Sequence, residues 1–351
     1  MAEAAAPLGA APPARRRWTS LLGVVVSLGL LAWALRGVRP AEVLEHVRAA
    51  DPVLLLAAVV VATLAFPLRL PRWRLLLRRD DGGPVAWGPL WHAIAMGFMA
   101  NNILPLRAGE VLRSYAVHRL GGTRFTAAFS SVAVERVFDG LVVVLLLAVA
   151  LFSPGLSPGL SVGGVAVSHV ATVAGVVCVA ALLVAGAVVA WPDAAEAVVR
   201  RLVPARGLAD RLVGLIEGVR HGLDVLRSPG RLALVFGWSL VQWLVNAAAF
   251  WLAFLAFDLP VNYSGALLLQ GLLVLGIAVP STPGFVGVFE AVIVAALALY
   301  GIDNAHASSY ALAYHASTFV PITLLGLWSL ARTPIALRDV RAGVPDPVPA
   351  R

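Results

Sequence analysis

Six stretches of this chain, 19–35, 51–67, 125–152, 170–191, 232–257 and 307–330, are apolar runs long enough to cross a bilayer. A run such as VLLLAAVVVATLAF, residues 53–66, offers its backbone no polar partner outside itself. In hydrocarbon every N–H and C=O must then be paired within the segment, which makes the run a helix. The composition agrees: of 351 residues 60% are hydrophobic and 13% charged, where a soluble domain carries about a quarter charged. The sequence therefore predicts an all-α integral membrane protein.

All the basic residues, 27 in number, are arginine. Without lysine there is no Walker-type phosphate loop and no Schiff-base chemistry, so ATP hydrolysis is not expected. Cys178 is the single cysteine and lies in an apolar run, and the seven histidines show no metal-binding spacing. No cofactor and no metal are expected. The net charge of +8 is read as arginine in cytoplasmic loops facing anionic headgroups, not as a nucleic-acid surface.

The arginine distribution sets the expected topology. Residues 1–17 are Ala/Pro-rich and read as a disordered cytoplasmic N-terminus, 18–332 as a single transmembrane domain, and 333–351 as a cytoplasmic tail. RLPRWRLLLRRDDGG, residues 69–83, holds five arginines and reads as a cytoplasmic loop; residues 192–231 hold seven and read as another, partly amphipathic helix. Residues 153–168 carry no charge and read as external. Parity then requires 88–124 to enter from the cytoplasm, turn at NNILPLRAGE and leave on the same side. Residues 266–300 start and finish outside, either as a hairpin turning at PSTPG or as two complete crossings. The expectation is a polytopic helical bundle of about six full spans plus two Pro/Gly-broken re-entrant hairpins, or about eight spans if the second crosses fully. The plasma membrane is its expected location, with both termini cytoplasmic.

Broken helices approaching from opposite faces are one way membrane transporters build a central site. Irregular backbone survives at that depth only where protein or a water-filled cavity satisfies it. Within 125–152 the uncharged part is 13 residues, about 20 Å of helix, too short for a core of about 30 Å. The span must therefore include VERVFDG, which puts Glu135, Arg136 and Asp139 in the membrane. Two carboxylates against one local arginine leave a deficit that protonation or a second arginine, Arg107 or Arg113, would fill. Asn101 and Glu110 flank the first turn. Pro283, Gly284 and Gly287 break the second hairpin, leaving a half-helix N-terminus suited to an anion, with Glu290 just beyond it. Gln242, Asn246, Gln270, His315 and Thr318 read as contacts between helices.

Three blocks, NNILPLRAGEVLRSYAVHR, SVAVERVFDGLVVV and PSTPGFVGVFEAV, taken in this order and spacing, resemble the signature regions of the lysylphosphatidylglycerol synthase transmembrane-region family of flippase-like proteins. Phe285 stands where members often have a second glycine. The resemblance implies the membrane module, associated in the synthases with moving phospholipid between leaflets, and does not imply aminoacyl transfer. The expected activity is translocation of a phospholipid or polyprenyl-linked amphiphile through a polar intramembrane cavity, not catalysis. The expected partners are that lipid, the bilayer, and an enzyme of envelope lipid synthesis; nucleic acid is not one. The alternative is a membrane-embedded transferase acting on a lipid-linked sugar or phospholipid headgroup, with Glu135, Asp139 or Glu290 as base.

Overall fold

The computed structural model describes residues 25–104, 108–151, 191–202, 228–277 and 282–335, with a few more between 161 and 180. Its helices are α1 (Val25–Ala34), α2 (Pro40–Ala49), α3 (Pro52–Leu76), α4 (Trp87–Ile103), α5 (Ala108–Gly121), α6 (Phe125–Leu151), α7 (Pro192–Leu202), α8 (Pro229–Ala256), α9 (Tyr263–Gly276), α10 (Val288–Ala298) and α11 (Asn304–Ala331). A two-residue antiparallel pair, Ser161–Val162 with Val165–Ala166, and an isolated bridge between Arg78 and Pro84 are the strand pairings among the described residues. Cys178 and most of 170–191 lie outside them.

Three described helices, α3, α8 and α11, are long and apolar enough to cross a membrane. The fourth long one, α6, has 27 residues but carries the three charges that the sequence places in the span. Starts follow side-chain chemistry. Asp51 accepts from the backbone N–H groups of Val53 and Leu54 ahead of Pro52, Ser228 from Arg231 ahead of Pro229, and Asp303 from His306. Each such cap satisfies an N–H that the first turn leaves unpaired, and proline at the first position has none to lose.

α3 departs from expectation. The helix does not end at Pro67 but continues through Pro67 and Pro71 to Leu76. Each proline removes one backbone hydrogen bond, whereas unwinding the segment in an apolar setting would strand several. The arginines at 69 and 72, assigned from the sequence to a loop, are therefore on a helix. The face of α3 that turns outward is Val53, Leu56, Val60 and Leu64, each at least half exposed, while Ala58, Ala62 and Ala65 face inward. Bulk outside and alanine inside suits a helix packed closely on a neighbour, here α8, with lipid on its other side.

Two hairpins interrupt the bundle. α4 and α5 run back to back: a Cβ added at Gly109 would lie 1.9 Å from the Gly97 carbonyl oxygen, and one at Gly121 would meet Val85 and Pro89. Only glycine allows this approach. α9 and α10 also pair, with Gly265 beside Tyr300 and Gly276 beside Val292. At 14 and 11 residues these two are about 21 and 17 Å long, short of a core of about 30 Å.

Apolar side chains form two cores. One joins α3, α4 and α5 to the first half of α6 through Trp73, Leu90, Leu112, Val132 and Phe138. The other joins the second half of α6 to α8, α9, α10 and α11 through Val142, Leu147, Phe254, Leu268 and Tyr310. α6 passes from one to the other at Asp139.

Candidate functional site: a buried arginine–carboxylate cluster

The charged residues of α6 sit where four helices converge. Glu135 is fully buried and Asp139 nearly so. Arg113 of α5 forks onto Glu135, its two terminal nitrogens donating to the two carboxylate oxygens at 3.0 and 2.7 Å. Arg72 of α3, itself fully buried, bridges the two acids: one terminal nitrogen lies 2.8 Å from Glu135 and the other binds Asp139. The nitrogen on Asp139 also donates to Ser239 of α8 at 2.9 Å. Trp243 of α8 donates its indole N–H to Asp139 at 2.9 Å. Arg136 reaches Glu135 at 3.0 Å, Asp139 at 3.6 Å and Glu110 of α5 at 3.8 Å. Arg69 stands 3.7 Å from Glu135.

Local structure explains the convergence. Arg69 and Arg72 are three apart on α3 and share a face, as do Glu135 and Asp139, four apart on α6. Arg113 is held over the Trp73 ring at 3.8 Å, a cation–π contact from the residue next to Arg72. Trp73 is fixed in turn by donating to Ser131 at 2.9 Å. Arg69 lies 4.7 Å over Phe98 of α4.

The charge balance is the reverse of the predicted deficit. Four guanidinium groups, of Arg69, Arg72, Arg113 and Arg136, face three carboxylates, of Glu110, Glu135 and Asp139. Burying one positive charge in surplus is costly without a counter-anion or water. Four buried N–H positions in these arginines make no hydrogen bond: the Nε of Arg72, Arg113 and Arg136, and Nη1 of Arg69. The cluster is not sealed, because the side chains of Arg136 and Glu110 are 39% and 31% exposed.

The second turn forms a separate centre. Glu290 accepts from the backbone N–H of Gly287 at 2.6 Å with one oxygen, and its other oxygen lies 2.6 Å from His315 Nδ1 of α11. It thus closes the N-terminus of its own half-helix, filling with its carboxylate the place that the sequence offers to an anion. Pro283 begins a short 3-10 turn, and Gly284 and Gly287 take φ of 69° and 88°. Phe285 takes φ of 60°, so the tip backbone adopts a left-handed conformation there, against the preference of a side chain.

The predicted residues thus fall into two groups joined by the end of α4. Asn101 accepts from the Gly109 N–H at 2.9 Å, tying α4 to the start of α5, the helix of Glu110 and Arg113. Asn102 donates to Thr323 of α11 at 2.9 Å, and a Cβ on Gly284 would lie 3.3 Å from the Asn102 carbonyl oxygen. The tips of the two hairpins therefore touch. Arg107 lies outside the described residues. Arg69, Arg72, Ser239 and Trp243 were not anticipated. For the arginines the available signal was the apolar residues Leu68, Leu70 and Trp73 threaded between them, and LLL at 75–77 beyond.

The family model described as "Lysylphosphatidylglycerol synthase TM region" matches residues 20–326. The protein named "Glycosyltransferase AglD" of Haloferax volcanii is 30% identical over 310 residues, covering 80% of this chain but 48% of that protein. The chain thus spans about half the length of that relative. Two proteins named "UPF0104 membrane protein" from Methanothermobacter thermautotrophicus are each 24% identical. One match covers 89% of this chain and 92% of the relative, the other 82% and 85%. This chain is a multi-pass membrane protein and belongs to the lysylphosphatidylglycerol synthase TM region family.

Proposed function

We propose that the chain translocates a phosphate-bearing lipid, a phospholipid or polyprenyl-linked amphiphile, between leaflets. The observation that carries this is the buried surplus of arginine over carboxylate, with unpaired N–H groups and an open side at Arg136. Guanidinium groups bind phosphate with matched, often bidentate geometry. Arg113 and Arg72 hold the cluster together through short bonds to Glu135 and Asp139. Arg136, although paired with Glu110, Glu135 and Asp139, keeps its side chain partly exposed. The ion pair of Arg69 among the described residues is a 3.7 Å contact with Glu135. These two are the arginines to meet a passing headgroup. Six crossings with two re-entrant hairpins, both termini in the cytoplasm, is the topology this reading takes. The shortness of α9 and α10 supports a hairpin over two complete crossings. With no lysine for a nucleotide site, movement is downhill or coupled to an ion.

A second reading, a transferase acting on a lipid-linked sugar, draws on the relative named a glycosyltransferase. The geometry favours it less. A general base needs a carboxylate free to take a proton, and the oxygens of Glu135 and Asp139 are already taken by arginine and tryptophan donors.

Proteoliposomes test the proposal. Fluorescent phospholipid in the inner leaflet becomes accessible to a membrane-impermeant quencher faster with protein than without. Arg136→Gln, at a half-exposed side chain whose loss leaves the Arg113–Glu135 fork intact, slows it. Exchange no faster than in protein-free vesicles sinks the proposal; equal exchange by Arg136→Gln removes the cluster from the route. Mass spectrometry of a sugar-linked lipid after incubation checks the second reading.

A further inference from the structure

Away from the cluster, a cavity of about 250 Å³ opens between the C-terminal end of α3, the N-terminus of α4 and the first turns of α8. Its walls include Pro71, Arg74, Arg78, Trp87, Leu234 and Trp238. These helix ends share one level, the side that the arginine bias assigns to the cytoplasm.

The lining is built for a particular chemistry. Arg74 is fixed twice: its Nε donates to the Val85 carbonyl at 3.0 Å, and its guanidinium stacks 4.5 Å over Trp87. Its terminal nitrogens stay available, since no ion pair holds them among the described residues. Arg78 is exposed and makes no ion pair there, and its backbone is bridged to Pro84, which steadies the loop at the mouth. No carboxylate of the described residues lines the cavity. The neighbouring acids are engaged elsewhere, Asp81 with Arg79 at 3.0 Å and Asp80 with Arg124 at 3.9 Å. Two positive charges therefore stand above an apolar wall of proline, leucine and tryptophan.

A water-soluble anion would use the charges and waste the wall; an acyl chain alone would do the reverse. A bilayer phospholipid uses both, and basic pockets between helices on this side of a membrane suit anionic headgroups. The volume lies below the roughly 300–1,000 Å³ of pockets that enclose a drug-sized ligand. It takes a headgroup and glycerol, with the chains left in the bilayer along Leu234.

We infer that this cavity is a binding site for the phosphodiester headgroup of an anionic phospholipid of the cytoplasmic-side leaflet, held by Arg74 and Arg78 and floored by Trp87 and Trp238. The site is separate from the buried cluster and does not depend on transport.

The test is native mass spectrometry of the detergent-purified full chain titrated with dioleoyl-phosphatidylglycerol, and with dioleoyl-phosphatidylcholine as the zwitterionic control. The wild-type chain retains phosphatidylglycerol more tightly. Arg78→Ala weakens this by about fivefold, the order expected of one arginine near an anionic headgroup. Arg79→Ala, a neighbour paired with Asp81, changes it less than twofold. Leu234→Trp, which fills the cavity without touching charge, displaces the lipid and guards against reading a global charge effect as a site. The effects of Arg78→Ala and Leu234→Trp persist in an Arg136→Gln background, so loss of the transport proposal and loss of this one are distinguishable. Equal retention of the two lipids, or no effect of either Arg78→Ala or Leu234→Trp, overturns the assignment. Full competition by soluble glycerol 3-phosphate at equal concentration overturns the lipid as occupant.

Discussion

Glu135→Gln puts the buried cluster to its most direct energetic test. One Glu135 oxygen accepts from Arg113 and Arg136, each at 3.0 Å, and lies 2.8 Å from Arg72; the other accepts from Arg113 at 2.7 Å. Glutamine has the same shape, but one of those oxygens becomes an NH2 that faces guanidinium donors. The cluster's charge rises from four positive against three negative to four against two. Removing one partner from a buried ion pair costs about 3–5 kcal/mol, mostly because the other charge is left uncompensated. The double change Glu135→Gln/Arg113→Gln restores the surplus to one and lets two amides pair, so most of that loss returns. The pair should then show a coupling energy of about 2–3 kcal/mol in a double-mutant cycle. Equilibrium unfolding in mixed detergent–SDS micelles, followed by tryptophan fluorescence, reads all four proteins. A single mutant within about 1 kcal/mol of wild type, or a double mutant no better than the single, would refute the claim that Glu135 is the keystone acid.

Gly287→Ala combines a φ of 88° with a Cβ 2.0 Å from the Ser27 carbonyl oxygen, so folded yield in detergent should fall sharply. Gly301→Ala, at φ of 74° with open space around it, should cost only the 1–2 kcal/mol of the left-handed conformation; equal losses would show that the approach of α1 to the turn is not the constraint. In a Cys178→Ser background, Asp81→Cys and Arg332→Cys should react with an impermeant maleimide from one side of the membrane, and Arg39→Cys and Ser264→Cys from the other. Labelling of Asp81→Cys and Ser264→Cys from the same side would break the proposed topology.

The sequence exposed the charged stretch of α6 through a length argument: the uncharged end was too short to span, so Glu135 and Asp139 had to come along. It also marked both turns, because proline and glycine at depth are expensive unless protein surrounds them. Arg113 could be named as a partner from its neighbourhood. Arg69 and Arg72 could not, because two prolines and five arginines in fifteen residues read locally as a loop. The helix persists there because its inner face has Glu135 and Asp139 to meet, a tertiary fact invisible to a local window. His315 was legible only as a polar contact; that it pairs with Glu290 depends on how α10 and α11 pack. The Arg74–Trp87 cavity is also a product of three helix ends meeting, and no single stretch announces it.

The Asn102 carbonyl resting against Gly284 means that the two hairpins abut main chain to main chain, with the Phe319 ring of α11 filling the space where a side chain on residue 284 would stand. A rotamer change cannot part them; a whole backbone segment has to travel. The junction therefore behaves as a rigid stop whose separation is a discrete event, and any opening between the two halves must carry the end of α4, with its ties to α5 and α11, along with it.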